Sequence, residues 1–119
     1  MILAVRVRLI LAGNASRVLP GVKIALFDRD LHDEDDYLGS GVTGENGVVR
    51  ITFDSDQYAD NEDQPAWRLD SLPDLYVRVY NSNGAVVYST IEQTVADSLP
   101  DEITVAIPRE VAERHNLLT

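Results

Sequence analysis

Apolar and polar side chains alternate along most of the chain with a period of two residues. From Val5 to Leu11 the valines and leucines fall on one face, and the arginines fall on the other. Similar patterns recur in later short segments, which end at Gly, Pro, Asn or Asp residues. Because successive side chains of a β-strand point to opposite faces, this pattern predicts half-buried strands. The predicted strands are Val5–Leu11, Val22–Phe27, Leu38–Thr43, Val48–Phe53, Leu75–Tyr80, Ala85–Thr90 and Ile103–Ile107.

Turn-forming residues separate the predicted strands. Gly13–Ser16 and Pro20–Gly21 are predicted to be loops. Gly44–Gly47 and Asn81–Gly84 each predict a hairpin, because an Asn-Gly pair accepts positive φ at low cost. A proline then precedes a short predicted helix, Arg109–Arg114, whose last turn is basic as the helix dipole favours.

Short strands joined by turns predict an all-β fold, a seven- to eight-stranded antiparallel β-sandwich with a short C-terminal helix. The 119 residues fit one domain, residues 1–119. Gly39 and Gly41 lie inside the third predicted strand, where they predict a bulge or a close approach of backbone. The long polar segment Asp54–Pro73 carries Trp67, which we expect to anchor it to the core.

Composition narrows the possible partners. The chain has 20 acidic and 10 basic residues and a net charge of -10, which argues against nucleic acid and against attraction to anionic membranes. No apolar run approaches the roughly 18 residues of a membrane span. The absence of cysteine excludes disulfides and thiolate metal sites. Because arginines interrupt the apolar N-terminus, it predicts a strand and not a signal peptide, and we expect a cytoplasmic chain unless it is a fragment of a secreted protein.

Carboxylates follow directly after two predicted strands. Phe27–Asp30 and Phe53–Asp56 both have the sequence Phe-Asp-x-Asp. If the strands run alternately up and down, both segments lie at the same end of the sandwich. The same parity places most of the 20 acidic residues there. They are Asp28, Asp30, Asp33, Glu34, Asp35, Asp36, Asp54, Asp56, Asp60, Glu62, Asp63, Asp70, Asp74, Glu92, Asp97, Asp101 and Glu102.

Such a density of carboxylates predicts a calcium site, because Ca²⁺ takes about six to eight oxygen ligands from flexible loops. The alternative is a set of solvated loops, since Asp is common in turns and keeps sheet ends soluble. The pattern is not an EF-hand, because Asp33 stands where the sixth loop position needs Gly. The predicted metal ligands are Asp28, Asp30, Asp33, Asp35, Asp36, Asp54 and Asp56.

Several segments resemble the transthyretin-like (prealbumin-like) β-sandwiches, especially the nematode transthyretin-like proteins. They are Leu19–Asp28, Asp35–Gly39, Thr43–Gly47 and Pro73–Tyr80, and the resemblance spans roughly residues 3 to 107 in order. It implies a transthyretin- or immunoglobulin-like sandwich and gives no information about activity. The cysteines of the nematode proteins are absent, as is the C-terminal Tyr-Arg-Gly-Ser of the related hydroxyisourate hydrolases.

A shorter stretch is similar to the third calcium loop of C2 domains, which has an aromatic residue followed by Asp-x-Asp and later Asp-Asp-x-Leu-Gly. Phe27–Asp30 and Asp35–Gly39 carry this match. The resemblance implies Asp28, Asp30 and Asp36 as Ca²⁺ ligands. The match is local, because the segment lies early in this chain and late in C2 domains.

No Ser/His/Asp set, phosphate-binding glycine loop or glycosidase carboxylate pair stands out. The sequence therefore predicts a binding or interaction module that is not an enzyme and that binds Ca²⁺ at its acidic loops. The alternative is a metal-free structural or assembly domain, which pairs with a protein partner or a second copy through its sheet faces or edges. The outward-facing basic and aromatic residues predict either an ordinary polar outer face or one sheet face that docks acidic partners. Its predicted members are Arg6, Arg8, Lys23, Arg50, Arg78, Tyr76 and Tyr80.

Overall fold

Two sheets of four strands make up most of the described chain. The computed structural model describes residues 1–30, 34–58, 72–96 and 98–118, so the expectation for Trp67 lies outside the described residues. The strands are β1 (Ile2–Leu11), β2 (Asn14–Val18), β3 (Lys23–Asp28), β4 (Asp36–Val42), β5 (Val48–Asp54), β6 (Leu75–Tyr80), β7 (Val86–Ser89) and β8 (Glu102–Ile107). They are joined by 3₁₀ turns at Ser55–Gln57 and Ile91–Gln93 and followed by helix α1 (Arg109–Arg114).

β1 is the centre of one sheet, called here the β1 sheet. It pairs antiparallel with β5 along Ile2–Arg8 and with β2 near its end. β8 pairs with the other edge of β1 and runs parallel to it, with Arg6 opposite Glu102. The other sheet, the β3 sheet, has the order β4-β3-β6-β7 and is wholly antiparallel. The predicted β-sandwich is confirmed, with the parallel pairing of β1 and β8 as an exception to its antiparallel character.

The core lies between the two sheets and is built by the alternation seen in the sequence. Val5, Val7, Leu9 and Leu11 of β1 are all buried, as predicted from their shared face. Ile24 and Leu26 of β3 are buried against them, as expected. Burial of branched aliphatic side chains on both inner faces supplies the main stabilising free energy of such a fold. In the described residues, no helix is both long and apolar enough to cross a membrane.

The strand β2 differs from the prediction, which places a loop at Gly13–Ser16. Residues Asn14 to Arg17 are all exposed, so no alternation of buried and exposed side chains marks the strand. It is formed by a tight turn after β1, where Gly13 has a φ of 83°. Backbone pairing of Ile10 with Val18 then holds β2 at the edge of the sheet. The strand thus depends on pairing with β1 and not on its own side chains.

The predicted hairpin at Gly44–Gly47 is wrong, although a tight turn is present there. The turn is closed by a hydrogen bond of 2.8 Å from Gly47 N to the carbonyl oxygen of Gly44. It leads from β4 in the β3 sheet to β5 in the β1 sheet, so the flanking strands face each other across the core instead of pairing. Two glycines of β4 make this close approach possible. A Cβ at Gly39 would lie 2.8 Å from Ile51 Cγ2, and one at Gly41 would lie 2.6 Å from Val49 Cγ2.

Candidate functional site

The acidic end of the sandwich is defined by the last residues of β3 and β5 and the first residues of β4 and β6. Asp28, the last residue of β3, lies directly opposite Asp36 of β4 and Leu75 of β6. Like charges opposite each other on neighbouring strands destabilise a sheet. The pairing of Asp28 with Asp36 is therefore a local cost that the chain accepts at this end.

Among the described carboxyls of the acidic end, Asp28 has the pKa that is shifted furthest from its usual value. Its side chain is only 9% exposed, and its Oδ1 accepts a hydrogen bond of 2.8 Å from the backbone N–H of Asp74. Burial raises the pKa of Asp28 from 3.8 to about 6, the bond from Asp74 opposes the rise, and the charges of Asp36, Asp74 and Asp30 add to it. At neutral pH the structure therefore holds a buried negative charge among other carboxylates.

The pKa of Asp35 is shifted in the opposite direction. Burial acts to raise its pKa, but hydrogen bonds from the Tyr76 hydroxyl and the Asp30 backbone N–H outweigh burial and lower it. Arg78 donates a hydrogen bond of 3.2 Å to Tyr76 Oη, and its guanidinium lies 4.1 Å from the Phe27 ring centre. Burial together with the bond to Asp35 raises the pKa of Tyr76 to about 12. The ionised form of Asp35 is thus stabilised and oriented by hydrogen bonds from the protein itself.

Asp54 is also satisfied within the chain. Its Oδ1 accepts hydrogen bonds from the Asp56 backbone N–H at 3.1 Å and from the amine of Met1 at 3.2 Å. Gln57 Oε1 accepts a hydrogen bond of 2.7 Å from the Asp54 backbone N–H, which completes a capping box on the 3₁₀ turn. The bonds from Asp56 and Met1 lower the pKa of Asp54.

The two Phe-Asp-x-Asp segments lie at the same end of the sandwich, as strand parity predicts. Gln57, which follows the second segment, donates a hydrogen bond of 2.9 Å to the carbonyl oxygen of Leu38, near the start of β4. Burial and the charge of Asp28 raise the pKa of Tyr58, which places the Tyr58 ring near the end of β3. Alternation of strand direction therefore predicts the correct end of the sandwich for both segments, even though β4 and β5 are not paired.

The predicted ligands are only partly brought together. Asp28, Asp30, Asp35 and Asp36 cluster at the ends of β3 and β4, whereas Asp54 and Asp56 belong to the neighbouring 3₁₀ turn. Asp33 lies outside the described residues. Across residues 1–30, 34–58, 72–96 and 98–118, no three acidic or histidine side chains are positioned to hold a metal ion. Any cation at this end would therefore require side chains to turn toward it.

Asp74 is a member of the cluster that the predicted ligand set did not include. Its backbone N–H binds Asp28, its carbonyl oxygen accepts a bond of 2.8 Å from Arg29 N, and its charge raises the pKa of Asp28. The signal was available, because strand parity already placed Asp74 at the start of β6 on this end. Glu102, at the start of β8, lies farther from the acidic end than Asp54 does, because it pairs with Arg6 of β1 whereas Asp54 pairs with Ile2.

The predicted basic face is wrong as a single surface. Arg6, Arg8 and Arg50 lie on β1 and β5, on the outside of the β1 sheet. Lys23 and Arg78 lie on β3 and β6, in the other sheet. Alternation showed that all five point outward, but a sandwich has two outer faces and alternation does not distinguish between them. Tyr76 and Tyr80 belong to the β3 sheet together with Lys23 and Arg78.

Comparisons with known proteins bear on the fold alone. No protein-family model matches the chain, and no curated protein sequence matches it significantly. Among solved structures, a 9R-lipoxygenase from Cyanothece PCC8801 is similar, with a TM-score of 0.58 and 20% sequence identity over 90% of this chain. The chain spans only 16% of the length of that lipoxygenase. The likeness therefore concerns one part of that enzyme, and at this identity it shows the fold and no shared activity.

Proposed function

We propose that the chain is a non-enzymatic binding module whose acidic end binds Ca²⁺. The observation that carries the proposal is the environment of Asp28. Its buried carboxylate is surrounded by the charges of Asp36, Asp74 and Asp30, which all raise its pKa. Among the described residues, no Lys or Arg forms an ion pair with it. A bound cation would remove this repulsion and turn a local cost into a stabilising interaction.

The donor chemistry fits calcium better than other common metals. All the side-chain donors of the cluster are carboxylate oxygens, which hard cations prefer. Asp28 would be the fixed ligand, because the hydrogen bond from Asp74 N to Oδ1 holds its carboxylate in place and leaves Oδ2 for the ion. Asp30 is exposed and Asp36 is half-buried, so a cation that enters from solvent reaches both carboxylates. Mg²⁺ fits less well, because it requires near-octahedral geometry and keeps most of its water.

Asp35 and Asp54 are weaker candidates than the sequence predicted. Asp35 already accepts bonds from Tyr76 and Asp30, and Asp54 accepts bonds from Asp56 and Met1. Neither the charge of Asp35 nor that of Asp54 is among those that raise the pKa of Asp28. We therefore place the ion at Asp28 together with Asp36, Asp74 and Asp30, the carboxylates whose charges act on Asp28, and propose Asp33 and Asp56 as further donors.

Calorimetric titration with Ca²⁺ tests this function directly. We expect binding heat, and a rise in melting temperature of roughly 10 °C when free Ca²⁺ exceeds Kd about a hundredfold, since linkage then adds about 2.7 kcal/mol. Mg²⁺ is expected to give a smaller response. The absence of both heat and a melting-temperature change at millimolar Ca²⁺ would contradict the proposal.

Matched substitutions locate the ion. Asp36→Asn is expected to weaken Ca²⁺ binding strongly, since it removes a charged ligand candidate opposite Asp28. Glu45→Gln changes the charge equally but lies in the exposed turn at the other end of the sandwich, so it should leave the titration unchanged. Equal loss in both variants would point to general charge screening instead of a site.

A metal-free assembly domain is the second candidate, and one surface favours it. On the outside of the β3 sheet, Tyr37, Val42 and Val86 are 54%, 58% and 50% exposed. All three lie on the edge strands β4 and β7, and sheet edges offer unpaired backbone groups to a partner. Under this function, sedimentation velocity is expected to show association that grows with protein concentration without Ca²⁺ and is weakened by Val42→Asp. A monomer at every concentration would exclude self-pairing.

A further inference from the structure

A groove lies at the end of the sandwich opposite the acidic end. Its walls are the start of β3, the end of β4, the end of β6 with the turn that follows, and the residues after α1. Its volume is about 440 Å³, which is within the usual range for small-molecule sites. The turns that shape it depend on left-handed backbone, with φ of 70° at Gly21 and 82° at Gly84. The groove is thus a feature of the fold and not of a side-chain conformation.

The groove is lined by the basic side chain of Lys23, whereas the chain as a whole has a net charge of -10. Lys23 and His115 line the groove, and no Asp or Glu is among the described residues that do. This is notable in a chain with 20 acidic and 10 basic residues. Within the described part of the chain, no carboxylate lies within ion-pair distance of Lys23. Its ammonium instead lies 5.5 Å from the centre of the Tyr80 ring.

Asn81 adds a hydrogen-bond donor with a fixed direction. Its side-chain Oδ1 accepts bonds of 3.0 Å from the backbone N–H groups of Asn83 and Ala85. Because the oxygen is held in this way, the amide nitrogen points away from the turn. That nitrogen has no acceptor among the described residues. An ammonium and an amide N–H₂ on the same groove are suited to an anionic oxygen.

Apolar surface completes the groove. The Tyr80 ring and the Val42 side chain both line it, and Val42 is 58% exposed. An aromatic ring next to a cation offers a stacking surface for a flat ligand body. The acidic end does not prevent an anion from binding here. Lys23 and Asp28 are five residues apart on β3, about 17 Å, which is roughly twice the Debye length at physiological ionic strength.

We propose that this groove binds a small organic anion, in which a carboxylate or phosphate group is attached to a flat apolar body. The anionic group contacts Lys23 and the Asn81 amide nitrogen, and the flat body packs on Tyr80 and Val42. The proposal does not depend on calcium binding at the acidic end, and its test is carried out without metal.

Two-dimensional amide NMR titrations with matched probes test the proposal. Benzoate and phenyl phosphate are compared with benzamide, which has the same ring and no charge. We expect both anions to shift the amide signals of Lys23, Tyr80 and Asn81, and to bind at least about tenfold more tightly than benzamide, because a charge-assisted bond is lost in benzamide. The stronger of the two anions identifies the preferred acidic group.

Paired variants assign the charge that matters. Lys23→Gln is expected to reduce the affinity for benzoate about tenfold, whereas Arg50→Gln, on the outside of the other sheet, should leave it unchanged. Lys23 is exposed, so its variant is expected to keep the melting temperature of the native chain, which serves as the folding control. The proposal is overturned if benzamide binds as tightly as benzoate, if Lys23→Gln binds like the native chain, or if neither anion shifts signals from the groove.

Discussion

Replacing Gly47 by Ala is expected to lower the free energy of unfolding by about 3 kcal/mol. Gly47 has a φ of 75°, which costs a residue with a Cβ about 1–2 kcal/mol. The new Cβ would also lie 2.6 Å from Val18 Cβ, 3.0 Å from the Leu9 carbonyl oxygen and 3.2 Å from Leu19 N. Overlap of this kind typically adds about 1–3 kcal/mol.

The surroundings of Gly47 have little room to relax, because two of the three overlapping atoms belong to hydrogen-bonded backbone. Leu9 N donates a bond of 2.9 Å to the Gly47 carbonyl oxygen, and Leu19 N donates one of 3.1 Å to the Leu9 carbonyl oxygen. Relief of the overlap would therefore break the contact between this turn and the β1–β2 hairpin. We expect a fall in melting temperature of roughly 10 °C, measured by circular dichroism.

Gly84→Ala is the matched control for this prediction. Gly84 also ends an Asn-Gly turn with a φ of 82°, but no heavy atom lies within 4 Å of its virtual Cβ. This variant should show the backbone cost alone, about 1–2 kcal/mol. If Gly47→Ala is no more destabilising than Gly84→Ala, the close packing of the Gly47 turn is wrong.

Replacing Asp28 by Asn is expected to stabilise the metal-free protein by about 2 kcal/mol at neutral pH. The pKa of Asp28 rises from 3.8 to about 6 on folding, so ionisation of this carboxyl favours the unfolded state. Asn has the same shape, keeps an acceptor for the Asp74 N–H and carries no charge to bury. At about 1.4 kcal/mol per unit, the full shift would give about 3 kcal/mol, and local solvation reduces it.

The stabilisation by Asp28→Asn should depend on pH in one direction. Well below pH 3.8 the Asp28 carboxyl is protonated in both the folded and the unfolded state, so the native protein and the variant have similar stability. As pH rises from 3.8 through about 6, ionisation of Asp28 in the unfolded state lowers the stability of the native protein, whereas the variant has no carboxyl to ionise. Urea unfolding of both proteins with a chelator, across this range, measures the difference. Asp56→Asn, an exposed carboxyl at the same end, should change stability by less than about 0.5 kcal/mol.

Calcium should reverse the order of stability, which links this prediction to the proposed function. With saturating Ca²⁺, the native protein is expected to gain the binding free energy, while Asp28→Asn gains little. If Asp28→Asn is less stable than the native chain in the chelator, the buried charge of Asp28 does not destabilise the fold and this prediction is wrong. A variant that gains stability with Ca²⁺ as the native chain does would remove Asp28 from the site.

The sequence by itself predicted seven of the eight strands of the described residues and their inward faces, and only β2 carried no signal. Strict alternation marked β1, and the buried aliphatic side chains of β3 and β5 were identified because burial depends on residue type and period. Carboxylates after Phe27 and Phe53 fixed the acidic end, since strand direction follows from the number of chain reversals. The helix Arg109–Arg114 was predicted with its observed bounds, because its start is set by the local effect of a preceding proline.

Only the tertiary structure decided which strands are neighbours and what each carboxylate does. The period of two is local, whereas pairing depends on long-range fit, such as the packing of Gly39 and Gly41 against Ile51 and Val49. This fit places β4 and β5 in different sheets and divides the basic residues between two faces. In the same way, Asp28 is buried and bonded to the Asp74 N–H, Asp35 accepts a hydrogen bond from Tyr76, and Asp54 accepts one from the amine of Met1, and each of these partners comes from a distant part of the chain.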